Sequence, residues 1–152
     1  MEGNFVFQLK DLGIASILGL SALGSALGAG VAAMSAIGVW KRAFLQSKRV
    51  SFMLVAFVGA PLTQTIYGMI VMNKMLEVSS KLGVYLLNIG LFCGLAIGIS
   101  AYMQGKAAAV ACDAFGETNK GFANFIVVLG IIETVALFVM AFSLGLLGRL
   151  TA

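Results

Sequence analysis

The chain contains no histidine, one proline, one tryptophan and two cysteines among 152 residues, and each shortage closes off some chemistry. Without imidazole there is neither the commonest general base nor the commonest zinc ligand. Cys93 and Cys112 fall on one predicted helix, roughly 28 Å apart along its axis, and cannot bridge within the chain. They read as small apolar residues. No glycine-rich segment ends in Lys-Ser or Lys-Thr, so nucleotide hydrolysis has no P-loop, and no catalytic residue is expected. Charge is scarce as well, at 11% of residues. With 61% hydrophobic residues and a mean hydropathy of +1.04, the chain reads as an integral membrane protein.

What is present is four long apolar runs. They predict an all-α membrane fold of four spans, at about Leu12–Trp40, Ser51–Met75, Leu82–Ala111 and Gly121–Gly148. The domain is single, 1–152, with one hairpin at about 12–76 and another at about 82–148. The segment MEGNFVFQLKDLG has no basic cluster before its apolar run, and that run is too long for a signal-peptide core, so no cleavage is expected.

Basic residues predict orientation. Lys41, Arg42, Lys48 and Arg49 crowd the first loop with no acid among them, whereas Lys74 and Lys81 are set against Glu77 in the second turn. Positive-inside places loops 41–50 and 112–120 in the cytoplasm and both termini on the far side of the cell membrane. The net charge of +4 is thereby accounted for by topology rather than by nucleic-acid binding. Lys106 reads as a snorkelling cation near the cytoplasmic face.

The last span, FIVVLGIIETVALFVMAFSLGLLG, carries one carboxylate, Glu133, near its middle. An ionised carboxylate at that depth costs ~3 kcal/mol or more, so it must be neutral, paired or holding a cation. A protonated glutamate that merely joins helices is the plain alternative. Intramembrane ionisable groups more often mark an ion or proton path.

Small residues distinguish the first and third spans: Gly24, Gly28 and Gly30 in one, Gly90, Gly94, Gly98 and Gly105 in the other, with serine and alanine between. Spacings of four let backbones approach closely where lipid supplies no hydrophobic drive, so these two spans are expected to form an inner layer. The alternation is an internal repeat. GAPLTQTIYGMIVM aligns with LGIIETVALFVMA, setting Gln64–Thr65 against Glu133–Thr134, and Gly30 falls over Gly105. Both halves start on the same side of the membrane, unlike the inverted repeats of many transporters.

PLTQTIYG in the second span, AYMQGKAAA in the third and IIETVALF in the fourth resemble the proteolipid (the K, or c, subunit) of bacterial V-type, or V/A-type, rotary ATPases, over all four spans. The resemblance implies a rotor ring of identical subunits in lipid. The ring would turn against a stator subunit with an essential arginine and meet the central stalk at the cytoplasmic loops, while ATP is hydrolysed elsewhere. In the sodium-binding members, a Thr–Gln pair, a Gln, a Glu and a backbone carbonyl hold Na⁺ and a tyrosine steadies the carboxylate. Carried over residue by residue, these are Thr63, Gln64, Gln104, Glu133, the carbonyl of Ala60, and Tyr67. The family position at Ala60 is often leucine, but only its backbone oxygen is wanted.

Elementary chemistry agrees with a hard cation, since hydroxyl, amide, carbonyl and carboxylate oxygens are what the site offers. A proton would need only Glu133, and H⁺ coupling is the first alternative. The plain readings are that Thr63 bonds its own helix, that Gln64 and Gln104 bond one another as polar glue, and that Tyr67 fills space. A small-molecule exporter and a structural channel are more distant alternatives. The former lacks aromatic residues lining a cavity, and the latter leaves Glu133 unexplained.

Overall fold

The structure, a computed structural model, describes the backbone of residues 2–151 and the side chains of residues 9–151. It is all-helical: α1 (Glu2–Leu45), α2 (Leu54–Gly59), a 3₁₀ turn (Ala60–Leu62), α3 (Thr63–Leu82), α4 (Tyr85–Thr118) and α5 (Phe122–Thr151). Grouped by the connections between them, these are four helices long and apolar enough to cross a membrane.

The second span is not one continuous helix as expected. Pro61 lacks an N–H and its ring crowds the preceding turn, and the chain answers with the 3₁₀ turn between α2 and α3. Helix ends also run further than hydropathy suggested. Lys74, Glu77 and Lys81 were expected in a turn but lie on α3, where Lys74 Nζ and Glu77 Oε2 pair at 2.7 Å. Helix α4 continues through Asp113 and Glu117, which narrows the expected loop to a few residues. The turns that remain use positive φ, at Gly83 (45°) and Gly121 (81°), where glycine carries no Cβ penalty. Asn119 (52°) adopts the left-handed conformation and caps α4 by donating its N–H to the Phe115 carbonyl at 2.7 Å.

Helices α1 and α4 form the inner pair. A Cβ placed on Gly24 would collide with the backbone of Gly98, and one on Gly105 with that of Gly28, so these helices touch main chain to main chain. Their contacts rise together in sequence, from Gly13 against Gly90 to Gly28 against Gly105, with Ser35 Oγ donating to the Ala109 carbonyl at 2.7 Å. The two helices therefore run parallel. So do α3 and α5 on the outside, linked from Thr63–Glu133 to Lys81–Thr151.

Two apolar clusters fill the bundle. Toward the basic loop, Phe57 packs with Phe115, Phe122 and Phe125 at centroid distances of 6.0, 5.1 and 6.1 Å, over Leu54, Ala108 and Leu129. Toward the other end, Ile17, Val71, Met75, Leu86, Ile97 and Leu147 make a second cluster. At the basic end Trp40 Nε1 donates to the Ser51 carbonyl at 3.0 Å, and Arg42 pairs with Asp113 between α1 and α4. Both cysteines are free, with Cys93 half-buried and Cys112 buried. Large apolar residues on every span, among them Leu27, Ile66, Phe92, Val110, Ile131 and Phe142, face outward.

Candidate ion-binding site

Between the two apolar clusters lies a single polar layer, built where α3, α4 and α5 meet. The 3₁₀ turn delivers Thr63 and Gln64 in the first turn of α3, with Tyr67 one turn further on the same face. Helix α4 supplies Ser100 and Gln104, again one turn apart, and α5 supplies Glu133.

Glu133 is the acceptor at the centre. Its Oε1 takes a hydrogen bond from Thr63 Oγ1 at 2.6 Å and another from the Tyr67 hydroxyl at 2.6 Å. Gln104 Nε2 approaches Oε2 at 3.4 Å and donates more closely to the Leu129 carbonyl, at 3.0 Å. Three donors face one carboxyl group, and Glu133 takes part in no ion pair among the described residues.

A second feature concerns Thr63. Its hydroxyl has one proton, yet three oxygens lie within reach: Glu133 Oε1 at 2.6 Å, the Ala60 carbonyl at 3.2 Å and Gln64 Oε1 at 3.2 Å. The proton can serve one of them, and the shortest contact is to Glu133. The Ala60 carbonyl and Gln64 Oε1 then face an oxygen with no proton between. Hydroxyl, amide, carbonyl and carboxylate oxygens are the kind of donors that a hard cation takes.

Gln64 and Gln104 are fully buried and bonded to one another, Gln64 Nε2 donating to Gln104 Oε1 at 2.6 Å. The Gln104 oxygen is thus occupied, and its nitrogen faces Glu133. Rotation of either amide about its last bond exchanges oxygen for nitrogen, so the pair can offer the layer a donor or an acceptor. Glu133 and Tyr67 are only half-buried, and Ile131 and Val135, flanking Glu133 on α5, are exposed. The carboxylate therefore lies just inside the outer surface of the bundle.

All six residues anticipated from sequence meet in this layer: Ala60, Thr63, Gln64, Tyr67, Gln104 and Glu133. Two participants were missed. Ser100 donates its hydroxyl to the Ile132 carbonyl at 3.0 Å, tying α4 to α5 beside the carboxylate, and the Leu129 carbonyl anchors Gln104. Ser100 had a legible signal, since it precedes Gln104 by one turn. A backbone carbonyl leaves none. Thr134, aligned with Thr65 in the repeat, bonds its own helix at the Ile131 carbonyl, 2.7 Å away, and stays out of the site. Lys106 also stays out, its ammonium lying 5.7 Å from the centroid of the Tyr102 ring.

Comparison with known proteins points to the same part of the chain. The pattern of the family described as the ATP synthase C subunit matches residues 87–146, a stretch that includes Gln104 and Glu133. The chain is also 31% identical over 140 residues to the A-type ATP synthase subunit K of Methanocaldococcus jannaschii. That alignment covers 91% of this chain, which spans 61% of the length of the relative.

Proposed function

We propose that the chain is a member of this proteolipid family, an ion-carrying component of the rotor ring in a V/A-type rotary ATPase that moves one Na⁺ per chain on Glu133. The observation that carries the reading is the crowding of the Ala60 carbonyl, Gln64 Oε1 and Glu133 Oε1 around the Thr63 hydroxyl, which has one proton for the three. A proton carrier has no use for those surplus oxygens. A sodium ion does, and it balances the carboxylate's charge in the same step.

The mechanism follows from where Glu133 lies. Paired with Na⁺ it forms a locally neutral site just inside the outer face of α5, so the rotor can pass through lipid without exposing a charge. At the stator, an arginine of the neighbouring protein competes for the carboxylate and releases the ion into an exit path. Tyr67 and Thr63 hold the carboxylate between these events, and Gln64 and Gln104, buried and bonded together, keep α3 and α4 at fixed spacing. The main-chain contact of α1 with α4 makes a stiff inner wall on which ring neighbours can close. Torque enters through the basic-loop end, taken as cytoplasmic by the positive-inside rule, where Arg42–Asp113 links the two halves.

The test is ²²Na⁺ binding to the purified oligomer, counted per chain, together with carbodiimide labelling of Glu133. Carbodiimide attacks the protonated acid, and Na⁺ and H⁺ compete for the same oxygens. Labelling should quicken as pH falls and slow as Na⁺ rises at constant ionic strength, with one ion bound per chain. Labelling indifferent to Na⁺, with no ²²Na⁺ retained, would give the site to protons. Two ions per chain would overturn the assignment to Glu133 alone.

A further inference from the structure

Ser25, in the middle of α1, is 2% exposed, and its Oγ is the one buried side-chain polar atom among the described residues that has no hydrogen-bond partner. Serines in membrane helices usually return their proton to the carbonyl four residues back. Ser16, Ser21 and Ser143 do so here, at 2.6, 2.7 and 2.6 Å. Ser25 does not, so its hydroxyl is left for another use.

Packing shows which layer it faces. A Cβ on Gly68 would stand 2.5 Å from Ser21 Oγ, and one on Gly28 would stand 3.2 Å from Pro61 Cβ. Helices α1 and α3 thus run antiparallel, with Ser21 level with Gly68 and Gly28 level with Pro61. Ser25 lies between Ser21 and Gly28, and is therefore level with the stretch of α3 that holds Thr63 and Gln64. The tandem repeat adds a second argument. In the repeat that sets Gly30 over Gly105, Ser25 is the counterpart of Ser100. Ser100 Oγ bonds the Ile132 carbonyl, the one just before Glu133, at 3.0 Å. In the alignment of Gln64 with Glu133, the matching carbonyl in the first half is that of Thr63.

We propose that Ser25 is a positioning residue of the ion site, its hydroxyl closing onto the Thr63 carbonyl as the first turn of α3 draws in around the cation. The inference rests on the Na⁺ reading of Glu133. It extends that reading to a helix with no ligand in the site, because α1 would set where Thr63 and Gln64 stand. Ser25 touches neither the ion nor the carboxylate. It acts through Thr63, so its removal should weaken cation binding without abolishing it.

The test compares purified oligomers of the unaltered chain, Ser25→Ala and Ser21→Ala. Ser21 is a fair control because its proton is already held by the Ile17 carbonyl. Ser25→Ala should raise the ²²Na⁺ dissociation constant by about five- to tenfold, the usual effect of one lost hydrogen bond, and alter the ratio of Na⁺ to Li⁺ affinity. Ser21→Ala should leave both unchanged. Infrared difference spectra with ¹³C-carbonyl threonine give a readout that does not depend on the variant assembling. Addition of Na⁺ to the unaltered oligomer should shift one threonine carbonyl band to lower frequency, and Ser25→Ala should abolish the shift. Equal Na⁺ affinity in Ser25→Ala, or an unaltered oligomer that binds one Na⁺ per chain with no threonine carbonyl shift, overturns the role of Ser25 and leaves the Na⁺ reading standing. An unaltered oligomer that binds no Na⁺ overturns both.

Discussion

The two hairpins are variations on one frame, and they differ most where they should if only one carries an ion. In the first half, position 64 is glutamine, fully buried and bonded to Gln104. In the second, the aligned position is Glu133, half-buried near the outer face and accepting from Thr63, Tyr67 and Gln104. Replacement of a carboxylate by its neutral isostere turns a site into a strut. The surrounding polar side chains then belong to one half in sequence and to the other in use, since α3 supplies most of the groups around a carboxylate on α5. A duplicated unit with two carboxylates would double the buried charge. A unit with one concentrates its ligands on it.

The comparison breaks first at the inner wall the halves share. Gly24→Leu forces a branched side chain into the backbone of Gly98, and Gly28→Leu does the same against Ala101. Overpacking of this kind costs ~1–3 kcal/mol in a soluble core, and more is expected where both partners are backbone. Loss of the assembled oligomer on a native gel is the expected result for both. Gly30→Leu should leave the packing of α1 on α4 within one chain intact, because nothing in the chain lies near its Cβ direction.

Glu133→Gln makes the two halves chemically alike. The side chain keeps its size and can still bond Thr63 and Tyr67, so the oligomer should form, but it cannot balance a cation. Expected binding of ²²Na⁺ is nil and transport is lost. Full binding by this variant would show that the ion sits elsewhere.

Much of this contrast is legible in the amino-acid sequence. The four spans announce themselves through hydropathy, and the inner pairing of first and third spans through glycines four residues apart. The polar layer was readable because Glu133 is a lone carboxylate in an apolar run, and because the resemblance pointed to Thr63, Gln64 and Gln104, which are polar where polarity is costly. Other features were not readable, for physical reasons. Helix ends such as Leu82 and Thr118 lie beyond the apolar stretches, where hydropathy fades while helix propensity continues. The break at Ala60–Leu62 was hidden because one proline can kink, end or merely mark a helix. Which end of the Gln104 amide faces Glu133, and the use of the Leu129 and Ile132 carbonyls, depend on rotamers and backbone atoms that no residue letter records.

Ligand truncations sharpen the comparison without erasing it. Thr63→Val removes the hydroxyl around which the oxygens gather, and Gln104→Leu removes the partner of both Gln64 and Glu133. Each leaves the carboxylate in place. Each should weaken Na⁺ binding by ~1–3 kcal/mol, the usual range for a polar contact with a charged group. Moving one charge through 100 mV is worth about 2.3 kcal/mol, so transport should persist at high Na⁺ and fail at low Na⁺. Titration of ²²Na⁺ against each variant measures the shift.

The smallest effect belongs to Tyr67, and it separates holding the carboxylate from holding the ion. Its hydroxyl donates to Glu133 Oε1 at 2.6 Å, and Tyr67 stands one helical turn along α3 from Thr63, whereas the Ala60 carbonyl precedes Thr63. Tyr67→Phe keeps the ring and its packing against the apolar cluster and removes one of three donors. Because Thr63 and Gln104 still donate to the carboxylate, the cost should fall near that of an ordinary hydrogen bond, about 1 kcal/mol. The Na⁺ dissociation constant should rise about fivefold, less than for Thr63→Val, and the oligomer should assemble as before. Carbodiimide labelling at fixed pH and Na⁺ should quicken in step, because weaker ion binding leaves more of the carboxyl groups open to protonation. A Tyr67→Phe oligomer that loses Na⁺ binding as completely as Glu133→Gln would mean that the tyrosine orients the whole ligand set, and the division of labour between the two halves would have to be redrawn.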